Sequence, residues 1–549
     1  MRRLFQPTMS ASRLTPPRQT MKILRGVLAV GALALASGCQ NFLDVNENPN
    51  APQTVSPNLY LPPILHWVAT SEQFDGRFIG RYTQNWTLPS GSATPSTWDR
   101  MGYDPTSDNG GQLWRDVYWN IGQNLVDMMA KAEAEQRWDL LGIGQAIKAW
   151  GWLKVTDVHG ELIIKQAFDQ TRFAFDYDTQ QFAYQEIQRL LDEAIKNLSR
   201  TDGAVNAAYL SRYDRVYSGD RTKWLKFAYG LKAMALNHLS NKSSYKPADV
   251  IAAVDQSFTS NADDALLPYS GTSADNADGN FWGPRRGNIN SYRQTNFVLG
   301  LLNGAVFGGT ANGAALDPRL SRMLAPSPDG QYRAWDPNSG INGAPAAQLP
   351  YNFFGYAGTA GAGLPSRYLF ADKSRFPIMT YAQLQFIKAE AALKSGNAAV
   401  ALAAYTNGVS SHIDFVNARN LDDAQAVTPI TAAEKSAFLA NPSIIPSASN
   451  LRMWHIMSQK YIAQWAWAHV ETWTDMRRYN YTGLDPVAGT QVFPGFSTPA
   501  VLYPDNNGRI AQRIRARYNS EYVWNRPSLD AIGGLALDFH TKPLWITQP

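Results

Sequence analysis

One side chain stands where covalent chemistry is expected of it. Cys39 is the only cysteine in 549 residues. It closes the stretch LASGC, after the basic pair Lys22 and Arg25 and the 11-residue apolar run GVLAVGALALA at 26–36. So short a run cannot cross a bilayer as a helix, which takes about 20 residues, and it reads as the apolar centre of an export signal. Small residues leading to a cysteine resemble a bacterial lipobox, although Ala36 holds the position three before Cys39 and Leu35 lies one step early. Cleavage there would leave Cys39 first, with its thiol acylated. Each buried methylene of an acyl chain contributes about 0.8 kcal/mol, so several chains make a durable anchor. Residues 1–38 thus read as a lipoprotein signal peptide, with Met21 as an alternative start to Met1.

The other reactive side chains lack the company that chemistry needs. A single cysteine excludes a disulfide framework and a cysteine-based zinc site. None of the seven histidines falls in an HExxH spacing, and no GxSxG elbow or GxxxxGK[ST] loop occurs. DPTSDNG at 104–110 places its glycine one position late for a calcium loop, with Arg115 at the twelfth place. The pair Asp263 and Asp264 could serve a glycosidase only at a three-dimensional separation that spacing does not show, and acidic pairs in loops ordinarily face solvent. The expectation is no catalytic residue, no metal and no cofactor.

Charge excludes a further class. Residues 1–38 hold six basic groups and no acidic one, and taking these from the formal +5 leaves −1 for the rest. Such a chain has no electrostatic reason to bind nucleic acid. Aromatic residues reach 12 %, with 17 Trp, more than a core requires, so some rings should lie at a binding surface.

These groups need elements to position them. Residues 39–63, rich in Asn and Pro, should run extended, with helices from about Ile64. The segment 179–199 carries Tyr184, Ile187, Leu190, Leu191, Ala194, Ile195 and Leu198 on one helical face, with Thr179 as cap. Residues 221–240 repeat the style with Trp224, Phe227, Ala228, Leu231, Ala235 and Leu239. Further helices are expected at 139–156, 377–416 and 451–478. Two stretches break the pattern: the polar loop 86–111, and residues 268–370, rich in Gly, Pro, Asn and aromatics. Long loops in a compact protein are commonly functional. In AEAALKSGNAAVALAAYTNGV, Gly396 marks a helix–helix turn, followed by Ala401, Tyr405 and Gly408. This resembles the second half of a tetratricopeptide repeat, in which small residues let two helices approach and an aromatic ring fills the gap. The predicted fold is all-α: tetratricopeptide-like helix pairs with long loop-rich insertions, in one domain over 64–549.

Six blocks resemble the SusD/RagB family of outer-membrane nutrient-binding lipoproteins of Bacteroidetes. They are NFLDVNENPNAP after Cys39; Trp114, Tyr118, Ile121 and Asn124 in a W-x3-Y-x2-I-x2-N helix; IKAWGWLKVTDVHGELIIKQAF at 147–168; YDTQQFAYQEIQRLLDEAIKNL at 177–198; FPIMTYAQLQFIKAEAALKSGN at 376–397; and, more loosely, RRYNYTGL at 477–484. Gln383 stands where the family often has Glu, and Gln40 and Asn41 are not the acidic run sometimes associated with surface export. The resemblance implies a SusD-like helical scaffold and a non-catalytic, lipid-anchored protein facing the cell surface. It implies capture of an oligosaccharide or peptide and delivery to a SusC-like TonB-dependent outer-membrane barrel. Two alternatives lie beside it: a lipid-anchored helical glycosidase or peptidase, and a periplasm-facing repeat scaffold.

No ligand residue transfers from the family by motif, so candidates come from loop position and chemistry. The C–H face of a sugar ring packs on an aromatic face while polar groups take its hydroxyls. Trp98, Tyr103, Trp282, Arg285 and Tyr292 lie in the two irregular stretches and are the expected ligand-binding residues. The tryptophans on predicted helices (Trp114, Trp119, Trp150, Trp152, Trp224, Trp465 and Trp467) are expected in the core.

Overall fold

The computed structural model describes residues 55–89, 94–272, 278–338, 345–356, 365–424 and 427–549. The expected signal peptide at 1–38, Cys39 and the first part of the 39–63 segment lie outside them. Residues 57–549 form one compact unit.

The chain turns helical earlier than expected. Pro57–Tyr60 form a 3-10 turn, and helix α1 runs from Leu61 to Tyr82. Pro62 and Pro63, which suggested an extended segment, occupy the first turn of α1, where a missing N–H breaks no helical bond. α1 is nearly all buried and acts as a hub. Gly76 and Gly80 make this close packing feasible: a Cβ on Gly76 would lie 2.4 Å from the His469 ring, and one on Gly80 2.7 Å from Trp86.

The longer helices then follow. They are α2 (Gln112–Tyr118), α3 (Asn124–Ala134), α4 (Trp138–His159), α5 (Gln180–Leu198), α6 (Arg221–His238) and α7 (Pro247–Asp255). After the irregular stretch come α8 (Tyr381–Lys394), α9 (Ala398–Asn420), α10 (Met453–Gln464) and α11 (His469–Arg478). α4 packs on α5, α6 on α7, and α8 on α9. Thr179 caps α5 as its sequence suggested, its side-chain oxygen accepting from Phe182 N at 3.2 Å. The repeat-like hairpin has the expected mechanics. Gly396 turns at φ +78°, and a Cβ on Gly408 would fall 2.8 Å from the Phe386 ring. Tyr405 packs edge-on to Phe386 with ring centres 6.1 Å apart.

Two small antiparallel ladders fasten the irregular stretch. β1 (Trp86–Thr87) pairs with β3 (Arg293–Gln294), and β2 (Ala265–Leu267) with β4 (Phe376–Met379). β4 takes residues that the sequence placed at the start of a helix; Thr380 then caps α8, accepting from Gln383 N. Among the described residues no helix is long and apolar enough to cross a membrane.

The centre of the scaffold holds charge as well as apolar surface. Arg478 pairs with Glu390 at 2.6 Å and Asp475 at 2.5 Å, and Lys460 reaches Glu471 and Asp475. Through His238 this network continues to Asp157, joining α4, α6, α8, α10 and α11. Each charge there faces an opposite one, the condition under which buried ions are tolerated.

Candidate binding site

Four of the five candidate residues, Trp98, Tyr103, Trp282 and Tyr292, are buried, and Arg285 is exposed. Trp98 is 2 % and Trp282 0 % exposed. Both rings fasten loops to α1: Trp98 lies 4.9 Å from Phe78, and the Trp282 indole N–H donates to Gln73 O at 3.1 Å. In this conformation neither presents a face to a ligand. The expectation from loop position failed there because these loops fold inward onto the scaffold. Tyr292 is also buried, its ring 6.0 Å from Trp86. Arg285 is exposed and lies 3.5 Å from Asp372. Tyr103 is buried for the most part and lines a small cleft, under the Arg515 guanidinium at 4.5 Å.

The larger aromatic cleft lies elsewhere. α2 does not run straight into α3; Trp119–Gln123 form a π-helical turn between them. The other π-helical turn among the described residues is Tyr518–Tyr522. Residues of both turns line one cleft of about 620 Å³. Such turns recur at functional sites because the extra residue re-aims side chains. Trp119 shows the effect: it is 64 % exposed, whereas Trp114, Trp150, Trp152, Trp224, Trp465 and Trp467 are buried. Its expected place in the core is therefore corrected. One added residue shifts the facing of a helical side chain by about 100°, out of the apolar stripe.

The rest of the cleft is braced. Tyr118 Oη donates to Ile163 O and accepts from Ile163 N, both at 2.8 Å. Asp178 accepts from the amides of Ile164 and Lys165 at 2.9 Å each. These bonds place Phe168, which also lines the cleft, at φ +68°, a left-handed conformation rare for a bulky residue. Across the cleft, the side chain of Asn525 accepts from Phe175 N and donates to Phe175 O, both at 2.9 Å. The Tyr177 phenol donates to Glu521. Beneath α2, Asp75 accepts from Gln112 N and Leu113 N and so satisfies the start of the helix. Burial outweighs those bonds and pushes the Asp75 carboxyl up to about 7.

Chemically, the cleft offers aromatic rings (Trp119, Phe168, Phe175) beside polar heads (Gln123, Asp169, Gln170 and three arginines). Arg172 pairs with Asp169 at 2.9 Å, and Arg517 pairs with Asp108. The DPTSDNG segment is thereby explained: Asp108 is held by Arg517, while Asp104 accepts from the Trp98 indole at 2.8 Å and from Asn109 at 2.7 Å. Among the described residues no group of three or more metal-ligating side chains comes together. Asp263 and Asp264 do not act as a pair. Asp263 binds Lys226 at 2.8 Å, and Asp264 accepts from Tyr381 N at 2.7 Å.

Comparison with known proteins places the chain. A family described as starch-binding and associating with the outer membrane, SusD-like, matches residues 49–494. No curated protein matches. A SusD/RagB family protein of Bacteroides thetaiotaomicron is similar, with 21 % identity, a TM-score of 0.64, and coverage of 90 % of this chain and 99 % of that one. A SusD homologue of Bacteroides fragilis gives 18 % identity and a TM-score of 0.66, over 90 % of this chain and all of that one. A chitin-binding SusD homologue of Flavobacterium johnsoniae gives 17 % identity and a TM-score of 0.63, over 89 % of this chain and 98 % of that one. These likenesses show a common helical fold, and the chain belongs to the SusD-like family of non-catalytic, outer-membrane-associated binding proteins.

Proposed function

We propose that this protein captures an oligosaccharide at the cell surface in the cleft between its two π-helical turns and passes it to a SusC-like TonB-dependent barrel. The observation that carries the reading is Trp119, an aromatic face 64 % exposed on a 620 Å³ cleft in a protein that buries most of its other tryptophans. Concave sites of roughly 300–1,000 Å³ with apolar walls and a few polar groups are where small ligands bind. The starch-binding description of the family, and the chitin-binding relative, favour a sugar over a peptide. Trp119, Phe168 and Phe175 would stack on sugar faces while Gln123, Gln170 and the arginines take hydroxyls. Tyr103 lines an adjoining cleft that shares Arg517, so a longer chain would extend toward it. Of the five loop candidates, Arg285 is the exposed one that a ligand could reach without rearrangement.

The anchor is part of the same reading: a lipid on Cys39, following the apolar run at 26–36, would hold the protein on the outer membrane.

Calorimetry with malto-oligosaccharides, chito-oligosaccharides and a peptide series tests the cleft. Stacking on one exposed ring contributes about 1–3 kcal/mol in comparable aromatic contacts, so Trp119→Ala should weaken glycan binding severalfold or more. Binding untouched by Trp119→Ala would remove the cleft from the reading. Binding of peptides alone would change the ligand class. A large β-barrel recovered with the tagged protein from solubilised outer membranes would support the delivery step, and recovery of the protein alone would count against it.

A further inference from the structure

The cleft between the two π-helical turns has a rim, and the exposed rings of the protein gather there. Among the described residues three aromatic side chains are exposed: Trp119 at 64 %, Phe173 at 93 % and Trp524 at 76 %. Trp119 lines the cleft itself. Phe173 does not, but it follows Arg172 and comes two residues before Phe175, and both of these line it. Trp524 comes three residues after Glu521, which lines the opposite wall, and its N–H donates at 2.9 Å to the carbonyl of Ser520 on that same wall. The two segments are joined directly, because the Asn525 side chain holds both backbone groups of Phe175. Phe173 and Trp524 therefore stand on two joined segments at the edge of the cleft.

Both rings are presented by braced backbone. Phe173 rides on a closed loop: Gln166 donates to the Asp176 carboxylate at 2.9 Å and accepts from the Asp176 amide at 2.8 Å. Within that loop Asp169 accepts from the amide and hydroxyl of Thr171 and from Arg172. Trp524 follows the second π-helical turn, in which Tyr518 and Tyr522 stack with ring centres 5.7 Å apart. A ring left in water contributes no burial to the fold, and exposed rings gathered at one place mark a binding surface. The neighbouring groups indicate what binds. Arg172 and Asp176 beside Phe173 are exposed as well, and a purely apolar partner would have to strip them of water. A saccharide chain offers apolar ring faces and hydroxyls in alternation and can use both. The cleft, at about 620 Å³, has the size of a site for a small ligand, so the further units of a long chain have to leave it over the rim.

We propose that Phe173 and Trp524 are outer stacking platforms for the saccharide units that project from the cleft, so that the protein selects long glycan chains over short ones. This rests on the function proposed above and goes beyond it: chain length is what the site discriminates, and these two rings are the residues that read it.

The test is calorimetry of the full mature protein with maltotriose and maltoheptaose, and with chitotriose and chitohexaose. Wild type should bind the longer member of one series more tightly than the shorter. Phe173→Ala and Trp524→Ala should each weaken the longer chain by about fivefold or more and leave the trisaccharide unchanged. Trp119→Ala, within the cleft, should weaken both lengths. Since Phe173 and Trp524 are exposed, the melting curves of their variants should match wild type. Equal wild-type affinity for long and short chains overturns the proposal, and so does long-chain affinity untouched in the double variant; both leave the cleft reading standing if Trp119→Ala still weakens binding. Equal weakening of both lengths by Phe173→Ala or Trp524→Ala overturns the assignment to outer units. A change of oligomeric state in the double variant, with long-chain affinity intact, would assign the rings to an interface between copies and likewise overturn it. Binding of none of the four glycans, or Trp119→Ala without effect, removes the cleft reading and this proposal with it.

Discussion

Phe168 lies against Gly122 so closely that no side chain fits between them. A Cβ on Gly122 would fall 2.5 Å from the Phe168 ring and 2.4 Å from Val117 O. The π-helical turn carrying Gly122 and the left-handed Phe168 therefore hold each other, and together they shape one wall of the cleft. Gly122→Ala should push the ring away or straighten the turn. Overpacking of this kind costs about 1–3 kcal/mol. The expected outcome is a lower melting temperature together with weaker oligosaccharide binding, measured on the same sample. Unchanged values of both would mean that the turn and the ring are independent.

Trp119 and Trp282 should respond oppositely to truncation. Trp282 is 0 % exposed and packs among Trp86, Phe376 and His469, so Trp282→Ala leaves a cavity at the α1 hub. Loss of a buried large ring costs about 3–5 kcal/mol. Thermal melts should show a large drop for Trp282→Ala and almost none for Trp119→Ala. Equal melting temperatures for the two variants would contradict the burial described above.

The same two residues show what could be read in the sequence. Helix α5 was legible because its apolar residues keep one face and Thr179 caps it locally. The hairpin at Gly396 was legible for a similar reason: its small residues and Tyr405 lie within a few turns of one another. The SusD-like family was legible from blocks spread over most of the chain. The fate of Trp282 was not, because its bond to Gln73 crosses 209 positions and depends on how the loop closes. Trp119 sits one residue past Tyr118 in an unbroken helical pattern, and nothing local announces a π-helical turn. The pair Gly76 and Gly80 was the available signal that rings would crowd α1.

Arg478 offers a test of the buried charge network. Its guanidinium is fully buried against Glu390 and Asp475. Replacing it with Met removes the cation and leaves two carboxylates without it. Breaking one side of a buried pair costs about 3–5 kcal/mol. Chemical denaturation should therefore show a strongly destabilised Arg478→Met variant. Restoring apolar complementarity with Glu390→Leu in the same chain should recover part of the loss, since the pairing and not the charge is what the core requires. A double variant worse than the sum of the singles would argue against that account.

His238 makes the stability of the fold depend on alkaline pH. Burial alone would lower its pKa, but the carboxylates of Glu471, 2.8 Å from Nε2, and Asp157, 3.1 Å from Nδ1, outweigh it and hold the group up at about 9. The folded protein thus retains a proton that the unfolded chain releases near 6.5. The contribution is complete below 6.5 and is lost as pH rises through 9, a change on the order of 3 kcal/mol. The other imidazoles act on the opposite side. Burial holds His66, His159, His455 and His540 down at about 4 and His469 at about 3, so their contribution is present above 6.5 and fades as pH falls. Asp75 and Asp264, at about 7, also titrate near neutrality, so the comparison must be between wild type and His238→Gln, in which they cancel. Denaturation of the two proteins across pH should show the widest gap near pH 6 and a narrowing toward pH 10. A gap that does not change with pH would mean that His238 is neutral in the folded protein and that Asp157 and Glu471 are balanced by other groups.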